Sequence, residues 1–313
     1  PDEIYISTPG PVGLFGLLAA KLLNAKSIGV FHTDFTLQAH ELIEDGALDS
    51  LVESYLKWFH SLTDENHVPT EEYIRLLFER GYERAGMKVF RRGIDSLLFS
   101  PRESGRSYIR DKWGISDGPI LLYAGRISKD KKIQFLFEVR ELLAQHIPTL
   151  NMVIAGDGPD LPELRKIYEH DRRIVFTGKL GHDVLPEVYS GADLFVFPSA
   201  TDTFGMVVLE AQSCGLPAVV SDRGGPKEIV RDGLTGLVAR DGDVRDWTGK
   251  ILSLIEKSEM QPDDFLAMRN ASRHNAVSRF DWNTVIDDIT GYVPSPELEK
   301  PGCSEKEREL VKT

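Results

Sequence analysis

The residues whose types and spacing could do chemistry are densest between positions 199 and 228. Asp202 precedes a Thr203-Phe204-Gly205 turn, and a second carboxylate, Glu210, follows eight positions after the first. A loop entering a helix presents N–H groups without intrahelical acceptors and the positive end of the helix dipole. The backbone of Phe204, Gly205 and Met206 is therefore a candidate seat for phosphate. Gly205 lacks a Cβ, which lets the backbone approach a ligand closely. Carboxylates accept hydrogen bonds from sugar or ribose hydroxyls. One at a helix mouth and one about two turns on suit a nucleotide-sugar. The plainer alternative is an ordinary β-α-β crossover whose glycines serve turns, with Asp202 as a helix N-cap.

Cations cluster after another apolar run. Tyr123-Ala124-Gly125-Arg126 ends a strand pattern, and Lys129-Asp130-Lys131-Lys132 follows. Ligands bind at the carboxyl ends of strands in open α/β sheets. Fixed cations there favour departure of an anionic leaving group. A basic loop exposed to solvent is the alternative, and Lys129 and Lys132 compete with Lys131 for any such role. His32 ends an apolar strand pattern, where it either bonds a ligand hydroxyl or is merely satisfied at a strand end. Ala155-Gly156-Asp157-Gly158-Pro159 follows a further strand. It is a poor dinucleotide fingerprint, because no third glycine opens a helix, so a structural turn is the competing account.

These residues need elements to hold them. Strand and helix patterns alternate along the whole chain, which implies parallel sheets in an α/β fold. In the second half the strands are predicted at 120–124, 151–155, 174–177, 194–197 and 218–221. Helices are predicted near 133–146, 162–170, 184–189, 204–213, 244–257 and 263–278. In the first half, strands are predicted at 4–7, 27–32, 66–68 and 87–91, with a helix from Thr70 to Arg80 that Thr70 caps. Ser100-Pro101-Arg102-Glu103-Ser104-Gly105 has linker composition. The expected division is a first domain at 1–98, a second at 99–279, a helix at 280–292 and a polar tail at 293–313.

Composition bounds the function. Length of 313 residues favours two domains, and a net charge of −12 argues against a nucleic-acid partner. No apolar run reaches the ~18–20 residues of a membrane span. Two cysteines, Cys214 and Cys303, make neither a disulfide framework nor a metal pattern, which fits a reducing cytoplasm.

The 199–228 segment resembles the donor-binding signature of GT-B glycosyltransferases of the retaining, group 1 type. That signature usually reads Glu-x7-Glu; here it is Asp202-x7-Glu210, followed by Ala211 to Pro217. The resemblance implies two facing Rossmann-like domains and a last helix that returns to the first. It places Arg126 and Lys131 on the donor diphosphate, aided by Gly125, Thr203, Phe204, Gly205 and Met206. It places Glu210 on the ribose, Asp202 and His32 beside the reacting sugar, Gly156 near the base, and Lys179 and Leu180 in a loop whose backbone reads the base. Asp202 is one methylene shorter than the usual Glu, so its reach differs.

The implied reaction moves a hexose from a donor such as GDP-mannose or UDP-glucose to a hydroxyl acceptor, with retention and without a metal or other cofactor. The Ser7-Thr8-Pro9-Gly10-Pro11, His32-Thr33-Asp34-Phe35 and Thr201–Gly205 runs are similar to a bacterial mannosyltransferase and sulfoquinovosyl-diacylglycerol synthase-like branch. That similarity implies a lipid or glycan acceptor and an enzyme that is cytoplasmic or peripherally membrane-associated. The resemblance begins mid-domain, so the first domain is expected to be N-terminally incomplete, with an uncovered sheet edge and face. A GT-B sugar-nucleotide epimerase and a non-catalytic nucleotide-sugar-binding fragment remain the rival readings.

Overall fold

The structure, a computed structural model, describes residues 1–32, 34–36 and 46–290; the expected tail, Cys303 and Thr33 lie outside the described residues. The first part of the chain runs β1 (Glu3–Ile6), α1 (Pro11–Leu23), β2 (Lys26–Val30), α2 (Gly46–Ser61), β3 (Glu65–Val68), α3 (Glu71–Glu79) and β4 (Met87–Val89). Next come α4 (Gly105–Trp113), β5 (Ile120–Ala124), α5 (Ile133–His146), β6 (Asn151–Ala155), α6 (Leu161–Ile167), β7 (Ile174–Gly178), α7 (Leu185–Gly191) and β8 (Leu194–Phe197). The last elements are α8 (Met206–Ser213), β9 (Ala218–Ser221), β10 (Gly236–Ala239), α9 (Val244–Met260), α10 (Pro262–Phe280) and α11 (Trp282–Thr290).

Two all-parallel sheets result. One has the order β1-β2-β3-β4, the other β10-β9-β8-β5-β6-β7. The second is buried on both faces: β5, β6, β8 and β9 are buried at every position. A parallel sheet flanked by crossover helices requires this, and it explains the unbroken apolar runs. In this sheet the strand order reverses between β5 and β8, which opens a crevice at their carboxyl ends. The Gly125–Arg126 loop and the loop carrying Asp202 both emerge there.

Two features depart from the sequence expectation. β10 is absent from the predicted pattern because its four residues sit between the Asp232-Gly233 and Asp241-Gly242 turn signals. Helix α4 is also unforeseen, since it is polar and buries only Gly105 and Ile109. It forms by close approach to α7: a Cβ on Gly105 would lie 2.7 Å from the Gly191 nitrogen. The residues just before the linker-like stretch are anchored, with Ile94 and Phe99 in the core of the second sheet. Arg273 donates to the carbonyls of Ser96 and Phe99 at 2.9 and 2.6 Å.

α10 ends at Phe280, where the Ile94 N–H donates to the Phe280 carbonyl at 2.7 Å. α11 then lies against the first sheet, and its Val285 lines a surface with Tyr5, Ile28, His67 and Phe90. In the first sheet, α3 is capped as the sequence suggests, with Thr70 Oγ1 accepting from the Tyr73 N–H at 3.2 Å. α1 buries only Gly13, Leu17 and Ala20 and leaves Val12, Phe15, Leu18 and Leu22 exposed. No described helix is long and apolar enough to cross a membrane.

Candidate active site

Two adjoining cavities occupy the carboxyl ends of the strands. The first, of about 330 Å³, lies between the two sheets. From the second sheet it is lined by Arg126, Asp130, Lys131 and Thr201–Val207, and from the first by His32, Asp34 and Arg92. The second, of about 570 Å³, is lined by Gly125, Gly156, Lys179, Leu180, His182, Tyr189 and Glu210 among others. Arg126 and Val207 border both. Every site residue expected from sequence therefore lines one cavity or the other, although they come from seven separate segments.

Local backbone geometry makes this convergence feasible. Gly156 has φ +148, and a Cβ there would sit 1.8 Å from the Gly125 carbonyl oxygen, so these two loops meet only because position 156 has no side chain. Tyr123, fully buried, donates its hydroxyl to the Arg126 carbonyl at 2.7 Å and fixes the loop that carries the guanidinium. Gly205 has φ +96 and heads α8, whose first residues Met206 and Val207 line the cleft.

The charges are interlocked. Lys131 Nζ lies 3.2 Å from Asp202 Oδ2 and 3.5 Å from Asp130 Oδ2, and Arg126 Nη2 lies 3.5 Å from Asp130 Oδ2. Burial alone would raise the Asp130 pKa, but the hydrogen bond from Ser128 and the charges of Lys131 and Arg126 hold it below the ordinary value. The three lysines differ in position. Lys132 Nζ is committed to both oxygens of Asp241 at 2.7 Å, whereas Lys131 lines the cleft. Lys129 is exposed and does not line it.

Asp202 is not the N-cap of α8, a place taken by Gly205. Asp202 Oδ1 accepts from the Phe204 N–H at 3.2 Å, a turn cap, while Oδ2 meets Lys131. The Phe204 N–H, one of the backbone groups expected to face phosphate, is thereby engaged within the protein. Glu210 is buried, and Tyr189 donates its hydroxyl to Glu210 Oε2 at 2.8 Å. Burial raises the Glu210 pKa; the Tyr189 hydrogen bond and the His182 charge oppose it.

Arg92, Asp34 and Tyr189 escape the sequence reading. Arg92 precedes a Gly93-Ile94-Asp95 turn that reads as structural, although its place just beyond β4 follows the carboxyl-end rule. Its Nη2 lies 3.0 Å from His32 Nδ1 and 3.2 Å from the His32 carbonyl. Tyr189 leaves no sequence signal, because only the packing of α7 on α8 brings it to Glu210. Among the described residues no group of three or more His, Cys, Asp or Glu is arranged to hold a metal ion.

Residues 106–267 match the family model of glycosyl transferases group 1. The chain belongs to the group 1 glycosyltransferases. It is 31% identical to the sulfoquinovosyl transferase SQD2 of Arabidopsis thaliana over 92% of this chain and 56% of that protein. It is 30% identical to the GDP-mannose-dependent alpha-mannosyltransferase of Mycolicibacterium smegmatis over 93% of this chain and 73% of that one. The chain thus spans little more than half the length of the Arabidopsis relative.

Among solved structures, this glycosyltransferase resembles Anabaena Alr3699/HepE in complex with UDP-glucose, with a TM-score of 0.75 at 21% identity over 93% of this chain and 78% of that one. It also resembles the sucrose-phosphate synthase of Thermosynechococcus elongatus, with a TM-score of 0.74 at 20% identity over 99% of this chain and 74% of that one. At such identity these likenesses show the fold, which is GT-B.

Proposed function

We propose that this chain transfers a hexose from a nucleoside-diphosphate sugar to a hydroxyl acceptor, on a lipid or a glycan, with retention of configuration. The observation that carries the reading is the pair of adjoining cavities. One holds Arg126, Lys131, Asp202 and the mouth of α8, and the other holds Glu210 with the Gly125, Gly156 and Lys179–Leu180 loops. The first suits a diphosphate and the sugar, the second a nucleoside. Arg126, Lys131 and the N–H groups at the start of α8 neutralise the leaving diphosphate, the task a metal performs elsewhere. Glu210 accepts from ribose hydroxyls through the oxygen that Tyr189 leaves open. Asp202 and His32 bracket the sugar.

In the proposed front-face step the bond from the sugar C1 to the diphosphate oxygen breaks as the acceptor oxygen bonds to C1 on the same side. The acceptor proton passes to a leaving phosphate oxygen, so no protein nucleophile is required. The acceptor class is supported by relatives whose names include a phosphatidylinositol monomannoside mannosyltransferase, and by the exposed apolar residues of α1. The domain division, peripheral membrane contact and a cytoplasmic location belong to the same proposal.

The deciding experiment incubates the full chain with UDP-glucose or GDP-mannose, with and without lipid extract. Diphosphate release that depends on the extract, with a product of retained anomeric configuration, is the expected outcome. Isomerised donor without acceptor would replace the reading by an epimerase, and saturable binding without turnover would replace it by a binding fragment.

A further inference from the structure

His32 and Arg92 come from different strand ends of the first sheet, yet they meet at the cleft. One guanidinium nitrogen, Nη2, serves both the imidazole Nδ1 and the backbone carbonyl of the same residue, at 3.0 and 3.2 Å. A guanidinium has only donors. His32 Nδ1 must therefore present its lone pair, and the proton of the neutral ring sits on Nε2. Protonating Nδ1 would destroy the hydrogen bond and place a cation against a cation.

We propose that Arg92 is a positioning residue that holds His32 neutral in its Nε2–H form, so that the imidazole offers the cleft a hydrogen-bond donor. Burial and the nearby Arg92 charge both depress the His32 pKa below its ordinary value, in agreement with the geometry. The other charged groups on the walls are Asp34 beyond β2, Arg126, Asp130 and Lys131 beyond β5, and Asp202 beyond β8. Arg92 has no carboxylate within ion-pair distance among the described residues, although the Asp202 charge acts on it from farther away. A neutral donor can bond a sugar hydroxyl across the pH range in which an ordinary histidine would gain charge. That consequence rests on the cleft being the donor site, whereas the protonation state stands on the geometry alone.

The test reads the ring directly. In the 15N-labelled full chain, two-bond 1H–15N spectra report the tautomer and pKa of each histidine, with the His32 signals identified by their loss in His32→Gln. The wild type should show His32 as the Nε2–H tautomer, titrating below the ordinary value near 6.5. Arg92→Met should raise the His32 pKa toward or past that value, and Arg92→Lys, which keeps the charge without the fork, should give an intermediate shift. Thermal midpoints within a few degrees of wild type certify that both variants fold. A wild-type His32 that carries its proton on Nδ1, or titrates at or above the ordinary value, overturns the proposal, as does a pKa unmoved by Arg92→Met. Failure of the chain to bind nucleoside diphosphates would leave this result standing and would count against the donor-site reading alone.

Discussion

The two sheets of this molecule support the cleft in contrasting ways. The second is backed by one continuous core that runs from Ile94 to Phe280 and includes the fully buried Tyr123, Phe195 and Trp247. Among the described residues, the first divides its interior into two small clusters, one around Phe31, Tyr73 and Leu77, the other of Ile6, Leu17 and Phe59. It also spends apolar residues on the surface of α1, where Phe15 is 73% and Leu22 77% exposed. Arg126, Lys131, Asp130, Asp202, Glu210 and the α8 mouth stand on the better packed unit, where rigid elements hold them, while the first unit brings His32, Asp34 and Arg92. The first unit supplies a few side chains at strand ends. Pre-organised charge is thus concentrated in one half, and the other half completes the site by docking against it.

The largest expected effect separates the two units by pH. His60 is buried against Phe31 at a ring-centroid distance of 3.9 Å, and burial pushes its pKa down to about 4 despite the hydrogen bond with Asn66. A histidine kept neutral in the fold takes up a proton more readily when unfolded. The stability it allows is therefore present above pH ~6.5 and is lost as pH falls from there toward 4, by about 3 kcal/mol in all. Glu65 adds a loss below pH ~4.5, since Lys88 and Lys26 hold its carboxyl down at about 2. Hydrogen exchange, corrected for intrinsic rates, should show protection falling on acidification in peptides from 26–89 and holding in peptides from 120–239. His60→Asn should flatten the trend above pH 4.5. Uniform loss across both units would dissolve the contrast.

The next effect sharpens the claim that fixed charge lies in the second unit. Lys131→Ala should lower transfer or donor hydrolysis about a hundredfold, the scale on which one pre-organised electrostatic contact to developing charge acts. Lys132→Ala should leave the rate within about twofold, because Lys132 is spent on Asp241. The reverse ranking, measured as initial rates with the same donor, would show that the lysine facing the cleft is not the one that works.

A smaller effect concerns the seam. Glu228, in the turn that packs beside Gly205, accepts from the Glu71 and Glu72 N–H groups at 3.2 and 2.6 Å and so caps α3 from the other unit. Thr70 Oγ1 donates to the Thr203 carbonyl at 3.2 Å, and Lys227 pairs with Glu72 at 2.9 Å. Loss of a helix cap costs about 1 kcal/mol. Glu228→Ala should remove that much from the unfolding free energy of the first unit and leave the second unchanged, as read from urea titrations followed by hydrogen exchange. A loss carried by the second unit would mean that Glu228 serves its own turn and not the seam.

The same contrast governs what the sequence discloses. Ile120–Ala124, Asn151–Ala155, Leu194–Phe197 and Ala218–Ser221 are legible to the residue, because strands covered on both faces are unbroken apolar runs. β10 and α4 are not, since one is a four-residue run among turn signals and the other packs through glycines. Among cleft residues, Arg126 with Lys131 and Asp202 with Glu210 are readable because the spacing of each pair along its own strand–loop–helix unit is itself the signal. Arg92 and Tyr189 act through partners 60 and 21 positions away, and no local pattern encodes such contacts.

The central claim, that the second unit holds a nucleoside diphosphate with Glu210 on its ribose, is tested most directly by calorimetric titration of the full chain with UDP and GDP, before and after Glu210→Gln. A hydrogen bond to a charged group contributes on the order of 1.5–3 kcal/mol, so the account predicts saturable binding weakened roughly 10- to 150-fold in a folded variant. Equal affinity in wild type and Glu210→Gln would contradict it.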